Sequence, residues 1–215
     1  MKYDFSHLTQ PPNQNVGGPI QDDEALLLYS IVRCGRIRRI LEVGGLSGYS
    51  ANNFLKAISW EKDAKTAVYT CDKKPVKSLA PNHFTFQKSI GDITIRDVHE
   101  TPLDLIFFDA HVLDPQMAAF NLLREANLIT NETIIALHDT GLHSDKRAKW
   151  SYLITDSDGT KGYVHQKVER QMVNILRRRY GYDSFSAHVF HGRNDALLPE
   201  RHGITLMQKY KFMVT

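Results

Sequence analysis

The chain has 215 residues, 42% of them hydrophobic and 24% charged, with a formal net charge of +3 at neutral pH. This is the length of one domain and the composition of a globular chain, with enough apolar surface to offset the ordering entropy, so extended disorder is disfavoured. No run approaches the roughly 20 uninterrupted apolar residues of a membrane helix, and Cys34 and Cys71 alone make neither a disulfide framework nor a thiolate metal knot.

The N-terminal segment MKYDFSHLTQPPNQN has no apolar core of the signal type, so a cytoplasmic location is expected. Residues 1–19 read as an N-terminal arm of one domain spanning 1–215. Asp22, Asp23 and Glu24 then open a helix carrying Leu26, Leu27, Tyr29 and Val32, and Gly35 ends it. Residues 39–43 (RILEV) read as a short buried strand, followed by a glycine turn and a helix over 50–58. Strands are expected at 67–71, 84–87, 103–108 and 133–137, with a helix over 117–126. Strands alternating with helices imply a parallel sheet with right-handed crossovers. Residues 141–162 are mostly polar without a clear period and read as a lid loop. A long helix over 163–180 and strands at 185–190 and 204–209 complete the chain, the last two forming an antiparallel C-terminal hairpin. The arginine clusters 33–39 and 177–179 fall near helix C-termini, where cations complement the macrodipole. No aromatic interleaving accompanies them, so neither nucleic acid nor membrane is expected as a partner.

The first strand runs into Glu42-Val43-Gly44-Gly45-Leu46-Ser47-Gly48-Tyr49-Ser50. A dinucleotide fingerprint wants glycines at 44, 46 and 49, and this turn carries Leu46 and Tyr49 there, which argues against a nicotinamide oxidoreductase. The segment ILEVGGLSGYSAN resembles the first motif of class I S-adenosylmethionine-dependent methyltransferases, most closely the catechol and sugar O-methyltransferase group. Glu42, Gly44, Gly48, Tyr49 and Ser50 fill its pattern, and Val16-Gly17-Gly18-Pro19-Ile20 is similar to the glycine loop upstream. The resemblance implies a Rossmann-like sheet of seven strands, mostly parallel, with helices on both faces. It implies cofactor binding by Glu42, Gly44, Gly48, Ser50, Asp72, Ser89 and Asp109, with Asp72 accepting the ribose hydroxyls.

Phe107-Phe108-Asp109-Ala110-His111 and Ala136-Leu137-His138-Asp139-Thr140 end two further strands, whose C-terminal ends converge on a ligand crevice. This layout is similar to the metal-dependent members of the family, and it implies a divalent metal held by Asp109, His138 and Asp139. His138 stands where those relatives carry an acid, so two arrangements stay open. Either His138 ligates a borderline metal such as Mn, Fe, Co, Ni or Zn, or it points away and leaves Mg to the aspartates and water. The family lysine three residues after the first aspartate is Val112 here, which makes His111 the candidate general base beside Asp109. His143 and His165 are secondary candidates, His188, His191 and His202 read as structural, and Trp150 and Tyr152 could pack on an acceptor ring.

The expected activity is transfer of a methyl group from S-adenosylmethionine to a small-molecule acceptor, at a hydroxyl oxygen activated by the metal. A metal-independent N-methyltransferase and a metal-dependent oxygenase or hydroxylase on the same fold stay open as alternatives. The N-terminal helix and arm make a homodimer plausible.

Overall fold

The computed structural model describes residues 20, 22–59, 65–141, 151–155, 161–165, 168–187 and 203–209. The elements are α1 (Asp22–Cys34), β1 (Arg39–Val43), α2 (Tyr49–Ile58), β2 (Ala67–Asp72), β3 (His83–Gln87), β4 (Leu105–Phe108), α3 (Leu113–Glu125), β5 (Ile134–Leu137), β6 (Ser151–Thr155), β7 (Lys161–His165), α4 (Val168–Tyr180), β8 (Asp183–Ala187) and β9 (Ile204–Gln208).

Seven strands form one sheet in the order β3-β2-β1-β4-β5-β9-β8. The first five are parallel, with Ile40 of β1 opposite Val68 on one side and Leu105 on the other. β9 runs antiparallel to both β5 and β8, which supplies the C-terminal hairpin. The winding reverses between β1 and β4, so the crevice of an open α/β sheet opens there, at the carboxyl ends of the strands.

Period-two alternation assigns each strand residue to a face. Leu41, Val43, Ile106, Phe108, Ile135 and Leu137 pack with Phe120 and Leu123 of α3 and Met172, Val173 and Leu176 of α4. Ile40, Val68, Leu105, Phe107 and Ala136 pack with Leu28 and Val32 of α1 and Phe54, Ala57 and Ile58 of α2. Phe54 and Phe107 meet edge to face at 5.6 Å. At the opposite edge, Asp104 accepts the backbone N–H groups of Arg38 and Arg39 at 2.8 and 2.9 Å. It docks the start of β1, which explains an acid inside an apolar run and why β4 begins at Leu105.

Several boundaries differ from the sequence reading, among them those of β4, at Leu105 rather than 103, and β8, at Asp183 rather than 185. α3 begins at Leu113 rather than 117, because Pro115 in a first turn gives up an N–H that has no helical partner there. The lid segment is not structureless: β6 and β7 form a separate antiparallel ribbon, with Ser151 opposite His165 and Thr155 opposite Lys161. Aromatic and β-branched residues flank an Asp158-Gly159 turn signal there. The helix expected from 163 therefore starts at Val168. The N-terminal arm with its glycine loop, and His143, Trp150, His188, His191 and His202, lie outside the described residues. His165 and Tyr152 fall in the ribbon. No helix among the described residues is long and apolar enough to cross a membrane.

Candidate active site

The turn after β1 is built on buried polar groups. Glu42 faces the α2 layer and is fully buried. One carboxylate oxygen accepts the Ser50 hydroxyl, the other the Thr70 hydroxyl at 2.6 Å. Thr70 Oγ1 lies 2.9 Å from His83 Nε2, and His83 Nδ1 accepts the Leu79 N–H at 3.1 Å. An accepting Nδ1 makes Nε2 the donor, and burial lowers the His83 pKa, so the ring is neutral. Burial also pushes Glu42 up to about 7, against the two hydroxyl hydrogen bonds and with small contributions from Asp109 and Asp72. Glu42 thus supports the turn from beneath, through Ser50 and Thr70.

Gly45 lies directly on this chain: a Cβ there would overlap the Thr70 methyl group and reach Glu42 Oε2 at 3.2 Å. Gly44 has a left-handed φ of 91°, and a Cβ would overlap the Asp109 carbonyl. Both positions therefore need glycine. Gly48 caps α2. Asp72 joins the turn, its two oxygens accepting the Leu46 N–H at 2.9 Å and the Lys74 N–H at 2.8 Å. Each oxygen keeps a second lone pair. The Lys88 N–H donates to the Asp72 carbonyl, bringing half-buried Ser89 in beside it, with Gly91 against Pro115 of α3.

Across the switch point, Asp109, His111 and Asp139 converge, with one ligand atom from each within 4.8 Å of the others. His111 Nε2 lies 3.4 Å from Asp139 Oδ2 and 3.6 Å from Asp109 Oδ1. Asp139 is wholly buried, and Asp109 and His111 are 12% and 14% exposed. His111 and Asp139 both hold left-handed φ values, 55° and 52°, a backbone state that is costly outside glycine and clusters at functional sites. Behind the ring stands Glu169 of α4, whose oxygens accept the His111 backbone N–H and Nδ1, both at 2.9 Å. Burial alone would lower the His111 pKa, but Glu169, Asp109 and Asp139 outweigh it and push it up to about 9.

His138 lies beside this set, with its ring between the cluster carboxylates and α1. It follows Ala136 in register and so faces α1. Its Nδ1 lies 3.1 Å from Asp109 Oδ1 and 3.5 Å from Asp139 Oδ1, and its Nε2 3.1 Å from Glu24 Oε2. Glu24 Oε1 accepts the Gly203 N–H at 2.7 Å, tying α1 to the start of β9. Burial opposes a charge on His138, yet Asp139, Asp109 and Glu24 hold its pKa well above the usual histidine value.

Glu24, Gln116 and Glu169 escape motif reading, and each is buried at a position with an apolar helical period. The stripes are Glu24, Leu28 and Val32, then Gln116, Ala119, Phe120 and Leu123, then Glu169, Met172, Val173 and Leu176. A lone polar residue on an apolar stripe is the signal that would have found them.

The donor set fits a divalent cation. Ligands about 2.1 Å from one ion stand roughly 3–3.5 Å from each other, close to the two separations from His111 Nε2. Three carboxylates, those of Asp109, Asp139 and Glu169, surround one imidazole. A mixed nitrogen and oxygen set suits Mn, Fe, Co, Ni or Zn better than Mg.

No protein-family model matches the chain. It is 26% identical over 188 residues to the O-methyltransferase ankF of Aspergillus thermomutatus, covering 80% of this chain and 71% of that one. The structure resembles the S-adenosylhomocysteine-bound Podospora anserina methyltransferase PaMTH1, with a TM-score of 0.59, 17% identity and coverage of 96% and 87% of the two chains. It also resembles the O-methyltransferase TomG of Streptomyces achromogenes in complex with S-adenosylmethionine, with a TM-score of 0.57, 16% identity and coverage of 98% and 92%. The chain has the class I methyltransferase fold. Within that fold the glycine turn and the Asp109, His111 and Asp139 cluster flank the same crevice.

Proposed function

We propose that the protein transfers the methyl group of S-adenosylmethionine to a hydroxyl oxygen of a small-molecule acceptor, with a divalent metal held by Asp109, His111 and Asp139. The observation that carries this reading is the convergence of those three side chains beside the glycine turn, at the switch point of a methyltransferase sheet. The O-methyltransferase name of the curated relative supports oxygen as the acceptor atom.

The turn over Gly44 to Gly48 cradles the cofactor, Asp72 offers its second lone pairs to the ribose hydroxyls, and Ser89 borders the adenine. The acceptor hydroxyl lies against Asp109, His111 and Asp139, in line with the sulfonium methyl. A bond forms from oxygen to the methyl carbon as the sulfur–carbon bond breaks; the electron pair stays on sulfur, and S-adenosylhomocysteine leaves. The hydroxyl proton passes to the carboxylates of the cluster or to water. A bound divalent ion lowers the pKa of the acceptor hydroxyl. The residues themselves supply position and a fixed electrostatic environment.

Calorimetry with S-adenosylhomocysteine, followed by methyl-transfer assays on hydroxylated acceptors with and without chelator, tests the reading. Micromolar binding and chelator-sensitive turnover are expected. No binding under any metal condition would overturn the cofactor, and full turnover in excess chelator would remove the metal.

A further inference from the structure

β4 leaves the sheet through two consecutive backbone N–H groups that side chains take up. The Ala110 N–H donates to Gln116 Oε1 at 3.1 Å, and the His111 N–H to Glu169 Oε1 at 2.9 Å. Gln116 Nε2 in turn donates to Glu169 Oε1 at 3.4 Å. Gln116 stands in the first turn of α3 and Glu169 in the first turn of α4, and both are fully buried. The second Glu169 oxygen lies 2.9 Å from His111 Nδ1. A carboxylate only accepts, so Nδ1 is the donor of this pair and Nε2 is the nitrogen turned toward Asp109 and Asp139.

We propose that Glu169 is a positioning residue that fixes both the left-handed backbone and the ring of His111, so that Nε2 alone is presented to the reacting centre. The proposal rests on the reading of that centre given above. α4 thereby sets which imidazole nitrogen acts, and a ring released from Glu169 would be free to turn Nδ1 inward or swing away. Carboxylates behind a ligating or reacting imidazole act in this manner, and their loss typically weakens metal binding by about 10–100-fold.

Nitrogen-15 NMR of histidine-labelled, metal-free protein tests the placement directly, with His111→Asn assigning the signal. The wild type is expected to show a hydrogen-bonded, exchange-protected Nδ1–H at His111, and Glu169→Gln to lose it. Cobalt(II) affinity, read from visible absorption, should fall about tenfold or more in Glu169→Gln, while S-adenosylhomocysteine affinity stays within about twofold. A residue that merely stabilised the fold would lower cofactor affinity together with thermal stability. A wild type without the protected proton would overturn the proposal, as would a variant with both proton and cobalt affinity unchanged. A wild type that shows the proton but binds no cobalt would remove the metal from the proposed function and uphold the placement of His111.

Discussion

The two sides of the crevice bury histidine and carboxylate in opposite electrostatic states. Under the glycine turn, His83, Thr70, Glu42 and Ser50 form a hydrogen-bonded chain, in which burial lowers the histidine and raises the carboxylate to about 7. Across the switch point, His111 and His138 each sit between carboxylates and both are raised, His111 to about 9. Such a chain holds a backbone turn with less charge than an ordinary carboxylate would place beneath the cofactor proposed to bind there. The charged cluster gathers acids where the proposed reaction needs to stabilise positive charge or take up a proton. On the proposed function one side is a frame and the other the reacting centre, and substitutions should separate them.

The largest separation is expected from Asp139→Asn. It keeps the shape of a wholly buried side chain but removes one carboxylate of the cluster, and kcat should fall by about 10²–10⁴-fold. S-adenosylhomocysteine affinity, measured by calorimetry, should change by less than about threefold, because the turn lies on the other side. Equal losses in both would erase the division between frame and reacting centre. His138→Leu comes next and reads out on stability, since Glu24 and Asp109 would lose their shared imidazole. Removing one partner of a buried charged set costs about 3–5 kcal/mol, measurable by denaturant unfolding. A loss below about 1 kcal/mol would show that α1 is not tied to the strand ends through this ring.

The frame was legible in the sequence because its parts are nearly contiguous: Glu42, Gly44, Gly48 and Ser50 span one strand-to-helix turn, so spacing alone carries the motif. The parallel pairing of the first five strands followed from the alternation of strands and helices. The reacting centre was legible only in its strand-end residues. His138 meets Glu24 across 114 positions and His111 meets Glu169 across 58, and no local pattern encodes such distances. The sequence left open whether His138 ligates or points away, and its ring reaches both ways, with Nδ1 toward Asp109 and Asp139 and Nε2 toward Glu24. Parity with Ala136, which packs against α1 and α2, points His138 to α1. The acidic start of α1 read as macrodipole complement, while Glu24 in fact lies on the buried stripe with Leu28 and Val32.

A pH titration of stability sharpens the picture of a raised carboxyl in the frame. The Glu42 carboxyl ionises near 4.5 ordinarily and near 7 when folded, so between these values the folded chain holds a proton that the unfolded chain has lost. The contribution of this group to stability therefore falls as pH rises from 4.5 to 7, and it is constant outside that window. The gap corresponds to about 3 kcal/mol. Glu42→Gln should flatten this part of the profile in cofactor-free protein, with little change near pH 4. An unchanged slope would mean that Glu42 ionises in the folded state as it does in the unfolded one.

Thr70→Val gives the smallest effect and the sharpest view of the frame as a chain. The substitution keeps the branched shape against Gly45 and removes the one hydroxyl that links His83 Nε2 to Glu42 Oε2. A buried donor and a buried acceptor then face a methyl group, at a cost of about 1–3 kcal/mol. Because Ser50 still donates to Glu42, the turn should keep its path and S-adenosylhomocysteine affinity should fall only severalfold. Combining Thr70→Val with His83→Leu should cost less than the separate losses together, since removing both partners leaves no unsatisfied ring nitrogen behind. Additive losses would instead mean that His83 supports the turn through the Leu79 N–H alone, and the frame would end at Thr70.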